Sequence, residues 1–198
     1  MEQRSIETRA RIVQVAYELF CAQGFRATTM EAIADAVGVS VQTVYFQFKN
    51  KPRLLRAVHE WTVLGEERLP PPLQPWHVAA MQEADARDAL AGIAKGTATL
   101  NARIAPMLPI FESLAQGPGG EIYRESKRRR RQDMDAIVDA LAAKTPLRAE
   151  TTRQRAADLV YFLMGPESYA ELVLEMAWPP NSWSDWVSET LNADLFRR

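Results

Sequence analysis

TTMEAIADAVGVSVQTVYFQFKNK, residues 28–51, divides at Gly38 into two short amphipathic segments. Thr28 and Glu31 have the spacing of a capping box, in which each side chain satisfies a backbone N–H at a helix start. Met30, Ile33, Ala34 and Val37 then recur at helical spacing and form one apolar face. Gly38 lacks a Cβ and suits the left-handed conformation that a tight inter-helix turn needs. Ser40 is placed to cap a second helix from Val41 to about Phe46, and Asn50 to cap the next, with Pro52 tolerated in its first turn. Val39 and Val44 are apolar where this unit must pack on a preceding helix, whereas Gln42, Thr43, Tyr45 and Phe46 are free to face outward. Glutamine can read adenine in the major groove, and Thr and Tyr hydroxyls commonly hold phosphates. Lys49 and Lys51 follow at once, with Arg53 and Arg56 beyond them, where they can neutralise phosphate.

Outside this stretch the chain also reads as helix, with no alternating apolar–polar pattern of useful length, so an all-α fold is expected. The first helix is predicted from about Ser5 to Gln23, burying Ile12, Val13, Ala16, Tyr17 and Phe20 and ending at Gly24. Four prolines between Pro70 and Pro75 form the clearest linker-like punctuation. Further breaks at Pro106, Pro109, residues 117–120, Pro146, Pro166 and residues 179–180 mark helices near 76–84, 86–104, 106–116, 121–144, 151–164, 166–177 and 182–196.

Bulk composition is that of an ordinary globular protein, 47% hydrophobic and 25% charged. The net charge of −1 adds little to a nucleic-acid reading. Residues 1–60 hold 8 Lys/Arg against 6 Asp/Glu, giving +2, and residues 61–198 hold 16 against 19, giving −3. A single cysteine, Cys21, allows no intrachain disulfide, which suits a reducing compartment. No stretch approaches the roughly 20 apolar residues of a membrane span. The opening Met1-Glu-Gln-Arg-Ser carries an acid and no apolar core, so no signal peptide and a cytoplasmic location are expected. No histidine–carboxylate–nucleophile set and no glycine-rich phosphate loop is present, so catalysis and cofactors are not expected. His59 and His77 lie too far apart to suggest a metal pair.

The ordered set Arg11-Ile-Val-Gln-Val-Ala-Tyr-Glu-Leu-Phe20, Gly24-Phe-Arg-Ala-Thr-Thr-Met30, Ile33-Ala-Asp-Ala-Val-Gly-Val-Ser40, Thr43 to Lys51 and Leu54-Leu55 resembles the tetracycline-repressor (TetR) family of transcriptional regulators. About 45 of the 198 residues carry the likeness. The resemblance implies an N-terminal three-helix DNA-binding domain, 1–50, followed by a helical ligand-binding and dimerisation domain, 51–198. It implies that Thr28 and Thr29 donate to phosphate, that Ser40, Thr43, Tyr45 and Lys51 hold the backbone, and that Val41 and Gln42 face bases, with Phe46 nearby. Phe46-Gln47 departs from the family's frequent polar or histidine residue before the aromatic, so Phe46 either meets a thymine methyl or only packs.

The implied partners are a double-stranded DNA operator, a small-molecule effector and a second copy of the chain. Trp61, Trp76, Leu100, Ile104, Met107, Phe111, Met134 and Tyr161, with Met81 and Tyr123, form an apolar and aromatic supply for an effector pocket. Leu159, Phe162, Leu163, Leu172, Trp186, Val187 and Leu191 are candidates for a dimer surface, some of them intrachain core instead. Lys127-Arg-Arg-Arg-Arg131 turns through more than one helical turn, and Glu125 can pair with Arg129, so a partly salt-bridged surface is favoured over a nucleic-acid patch. The function so implied is a dimeric repressor released by its effector. The alternative is a helical ligand-binding module without DNA binding, against which the intact pattern from Thr28 to Lys51 argues.

Overall fold

The computed structural model describes residues 2–196. Met1 and residues 197 and 198 fall within the sequence ranges 1–50 and 51–198 but lie outside the described residues. The all-α expectation is borne out: the described residues contain no strand, and a single antiparallel bridge pairs Leu147 with Phe196. By backbone proximity the chain forms two compact units that do not follow chain order. The first comprises the residues up to Glu66 with Pro106–Arg124, and the second Glu67–Ala105 with the residues from Glu125 onward.

The first unit is built on α1 (Glu2–Ala27), α2 (Met30–Val37), α3 (Val41–Phe48) and α4 (Lys51–Leu64). Helix α1 runs past the expected Gln23, but Gly24 at φ 84°, ψ 161° interrupts its helical geometry at the predicted residue. Ile12, Val13, Ala16 and Phe20 of α1 are buried as expected, against Ile33, Ala34 and Val37 of α2, Val44 and Phe48 of α3, and Leu54, Leu55 and Val58 of α4. Tyr17 is half-buried and meets Trp61 edge to face at 5.3 Å. Met107, Ile110 and Phe111, the last two from α7 (Leu108–Ser113), join the same core. Phe111 stacks on Tyr123 at 5.1 Å.

The second unit holds α5 (Pro75–Gln82), α6 (Ala86–Ile104), α9 (Arg153–Leu163), α10 (Pro166–Tyr169) and α11 (Pro180–Leu195), together with most of α8 (Pro118–Lys144). Pro75 sits in the first turn of α5, where its missing N–H is harmless. Helices α5 and α6 meet closely because Gly92 and Gly96 face Ala80 and Trp76 with no side chain between. Leu90 and Ile93 of α6, Val138 and Leu141 of α8, Val160 of α9 and Trp183, Val187, Leu191 and Leu195 of α11 form its core. Asn101 is buried, and its Nδ2 donates to the Met164 carbonyl at 3.0 Å just beyond α9. After α10 the chain winds as a π-helix over Ala170–Glu175.

Candidate nucleic-acid interface

The turn between α2 and α3 is held by backbone chemistry visible in the sequence. Gly38 adopts φ 78°, ψ 39°, and its N–H donates to the Ala34 and Asp35 carbonyls at 2.9 and 3.2 Å. Ser40 Oγ accepts from the Thr43 N–H at 3.2 Å, and the two hydroxyls lie 2.9 Å apart. Asn50 Oδ1 accepts from the Arg53 N–H at 3.0 Å and opens α4. One cap differs from expectation. The cap of α2 is Thr29, whose Oγ1 accepts from the Ala32 N–H at 3.0 Å. Thr28 is fully buried, and its hydroxyl donates to the Gly24 and Leu19 carbonyls at 2.9 and 3.2 Å. Its hydroxyl is engaged with these carbonyls inside the protein, so its side chain is not the outward phosphate donor the resemblance implied.

Helix α3 buries Val44 and Phe48, and this sets which side faces away. Gln42, Tyr45 and Phe46 are exposed, Phe46 at 83%, while Val41 and Thr43 are half-buried. Such a large exposed aromatic is not held there by core packing. Thr29, Ser40 and Lys49 are also exposed. Lys49 takes φ 62°, and its N–H closes the last turn of α3 on the Tyr45 carbonyl at 2.7 Å. Lys51 is the second departure: its ammonium donates to the Phe25 and Thr28 carbonyls at 2.8 Å and to that of Arg26 at 3.3 Å.

Three supporting residues were not identified in the sequence. Arg9 donates to the Gln47 carbonyl at 3.1 Å and lies 4.3 Å over the Phe48 ring. Gln47 Nε2 donates in turn to Ser5 Oγ at 3.1 Å. Arg11 donates to the Val37 carbonyl at 3.2 Å. The two arginines thus set cations at the C-terminal ends of α3 and α2, where the helix dipole favours them. Separations of 38 and 26 residues leave no local signal for such pairs.

The expected pocket residues divide between the units. Trp61, Met107 and Phe111 belong to the first, where Met107 and Phe111 are buried. Trp76, Leu100, Ile104, Met134 and Tyr161 belong to the second; Ile104 is buried and the others half-buried. An open depression in the first unit, lined by Arg26 and residues 112–117, includes none of the eight. Arg130 and Arg131 both lie over the Tyr161 ring, at 4.3 and 4.2 Å. The basic run is salt-bridged: Arg129 with Glu125 at 2.6 Å, Arg131 with Asp158 at 2.6 Å, and Lys127 and Arg130 with Glu167 at 3.3 and 3.0 Å. Among the described residues no cluster of three metal-ligating side chains occurs.

This geometry, two capped helices joined at a left-handed glycine with a polar and aromatic face turned outward, defines a helix-turn-helix unit. Residues 12–58 match the family model described as bacterial regulatory proteins, tetR family. The regulator SrpR of Pseudomonas putida is 44% identical over 52 residues, 26% of this chain and 24% of SrpR. The chain covers well under two thirds of the curated relatives it matches. Solved structures extend the likeness in fold over nearly the whole chain. The fatty acid degradation regulator FadR from Bacillus halodurans has a TM-score of 0.76 at 17% identity, covering 96% of this chain and 97% of its own. NalD, the secondary repressor of the MexAB-OprM multidrug efflux pump in Pseudomonas aeruginosa, has a TM-score of 0.69 at 23% identity, covering 98% of both chains. No helix of the described residues is long and apolar enough to cross a membrane.

Proposed function

We propose that this protein is a cytoplasmic transcriptional regulator that binds a double-stranded DNA operator as a homodimer and is released by a small apolar or aromatic effector. The observation that carries the DNA-binding reading is the outward face of α3, with Gln42, Tyr45 and Phe46 exposed above the buried Val44 and Phe48. Gln42, Val41 and Phe46 are assigned to base edges, and Thr29, Ser40, Thr43, Tyr45 and Lys49 to phosphates. Residues 1–50 take the DNA-binding role and 51–198 the effector and dimer role.

The likeness in fold to NalD, a secondary repressor, supports repression as the sense of regulation. Phe162, Leu174 and Met176 are exposed apolar side chains at 69%, 47% and 55%, and they support an apolar dimer surface between residues 162 and 176. Val187 and Leu191 are fully buried in the core of one chain and present no surface to a second copy. The half-buried Trp76, Leu100, Met134 and Tyr161 support an apolar or aromatic effector.

The test is gel retardation with DNA from upstream of the protein's own gene, at low salt, where phosphate contacts are strongest. Retardation by the wild type and its loss in Gln42→Ala are expected. A compound that raises the melting temperature in a screen of apolar and aromatic molecules is expected to release the DNA. No retardation at low salt would reject the reading and favour a ligand-binding module that does not engage DNA.

A further inference from the structure

We propose that Lys51 is a positioning residue that ties the start of α2 to the start of α4, and so holds the recognition unit closed, rather than a phosphate ligand. The proposal rests on the DNA-binding reading only for its functional consequence.

A lysine ammonium has three N–H donors. All three have backbone acceptors here: the carbonyls of Phe25 and Thr28 at 2.8 Å and that of Arg26 at 3.3 Å. The Nζ also stands 4.6 Å from the centre of the Phe25 ring, which adds attraction to the π-face. Phe25 and Arg26 lie beyond the interruption of α1 at Gly24, so the carbonyls that Lys51 meets belong to the short stretch between that break and the start of α2. Burial pushes the Lys51 ammonium below the usual lysine range, as expected for a cation drawn from solvent toward neutral acceptors.

The sequence separation gives the contact its effect. Lys51 and Thr28 lie 23 residues apart, and everything between them is α2, the Gly38 turn and α3. One side chain therefore joins the two ends of the DNA-binding segment. Thr28 contributes from the other side, with its hydroxyl on Gly24 and Leu19 and its carbonyl on Lys51. Moving the ammonium to a phosphate would remove this donor from three carbonyls and release both ends of the segment. The charge acts inward, and DNA affinity depends on it through geometry.

Lys51→Met and Lys51→Arg, made in the full chain, separate the alternatives. Arginine keeps the charge and would serve a phosphate well. Its planar fork, however, does not place three donors on carbonyls converging on one point. Affinity for the upstream DNA is measured by fluorescence anisotropy across a salt series, with amide hydrogen exchange followed over residues 25–32 of the free protein. Both variants are expected to bind at least tenfold more weakly, with the slope of log K against log salt unchanged and faster exchange over residues 25–32. Recovery of affinity by arginine, with a slope reduced by about 0.9 in the methionine variant, would mark a phosphate contact and overturn the proposal. A lower melting temperature with unchanged affinity of the folded protein would overturn it too, leaving Lys51 a plain stabiliser. If the wild type binds no DNA, the DNA-binding reading fails by itself. The exchange data then decide the clamp: unchanged protection over residues 25–32 in the methionine variant overturns it.

Discussion

The indole of Trp76 occupies the place a side chain on Gly96 would need: a Cβ built there would stand 2.0 Å from Cε3 and 2.1 Å from Cδ2 of the ring. The indole is also anchored at its other end, where Nε1 donates to Gln74 Oε1 at 2.6 Å. Gly96→Ala is therefore expected to push the ring and α5 away from α6 and to destabilise the protein by about 1–3 kcal/mol, the usual range for overpacking. Urea unfolding checks this, and in a Trp76→Ala background the same substitution should be nearly neutral. Equal losses in both backgrounds would show that the ring is not the obstacle.

Gly38 poses a different problem, because no atom lies within 4 Å of a Cβ built on it. Its φ of 78° is the reason for a glycine at this turn. Gly38→Ala is expected to lower stability by about 1–2 kcal/mol through backbone strain alone, and Gly38→Asn by less, since asparagine visits the left-handed region more readily. Alanine and asparagine variants of equal stability in thermal melts would contradict this account.

Phe46 makes the DNA-binding reading testable apart from stability. With 83% of the residue exposed, Phe46→Ala should change unfolding free energy by no more than about 0.5 kcal/mol. Its affinity for the upstream DNA should nonetheless fall about tenfold or more, to an extent that depends on the bases opposite. An affinity unchanged across several operator sequences would leave Phe46 a bystander.

Asp139 and Arg153 predict a pH effect. Arg153 Nε and Nη2 donate to the two Asp139 oxygens at 2.6 and 2.7 Å, and these bonds hold the carboxyl below its usual value. A carboxyl depressed in the folded state stabilises above its unfolded pKa, near 4, and that contribution fades as pH falls through the folded value. Asp139→Asn should thus be less stable than wild type at pH 7, the gap being small because the pair is exposed, and should match it in strong acid. A gap that persists undiminished at low pH would place the effect elsewhere than in this ion pair.

Residue pattern alone was sufficient for the helix-turn-helix unit because its determinants are local. The 3.6-residue spacing of Met30, Ile33, Ala34 and Val37, the positive φ at Gly38, and the caps at Ser40 and Asn50 each act within one or two helical turns. The outward face of α3 follows from the same periodicity, since burying Val44 and Phe48 leaves Gln42 and Phe46 on the other side. Even the one-residue error at the cap of α2 arose between two adjacent threonines, both chemically able to cap.

Long-range side-chain reach required the folded chain. Lys51 looks like a surface cation in the sequence, and only folding brings the Phe25, Arg26 and Thr28 carbonyls to its ammonium. Arg9, Arg11 and the pairing of Lys127 and Arg130 with Glu167 are of the same kind. A long flexible cation has no periodic signature, and its partner is whichever acceptor the packing of distant helices delivers. Spacing therefore established which helices form and which faces they bury, whereas folding settled whether a given cation faces the solvent or the protein's own backbone.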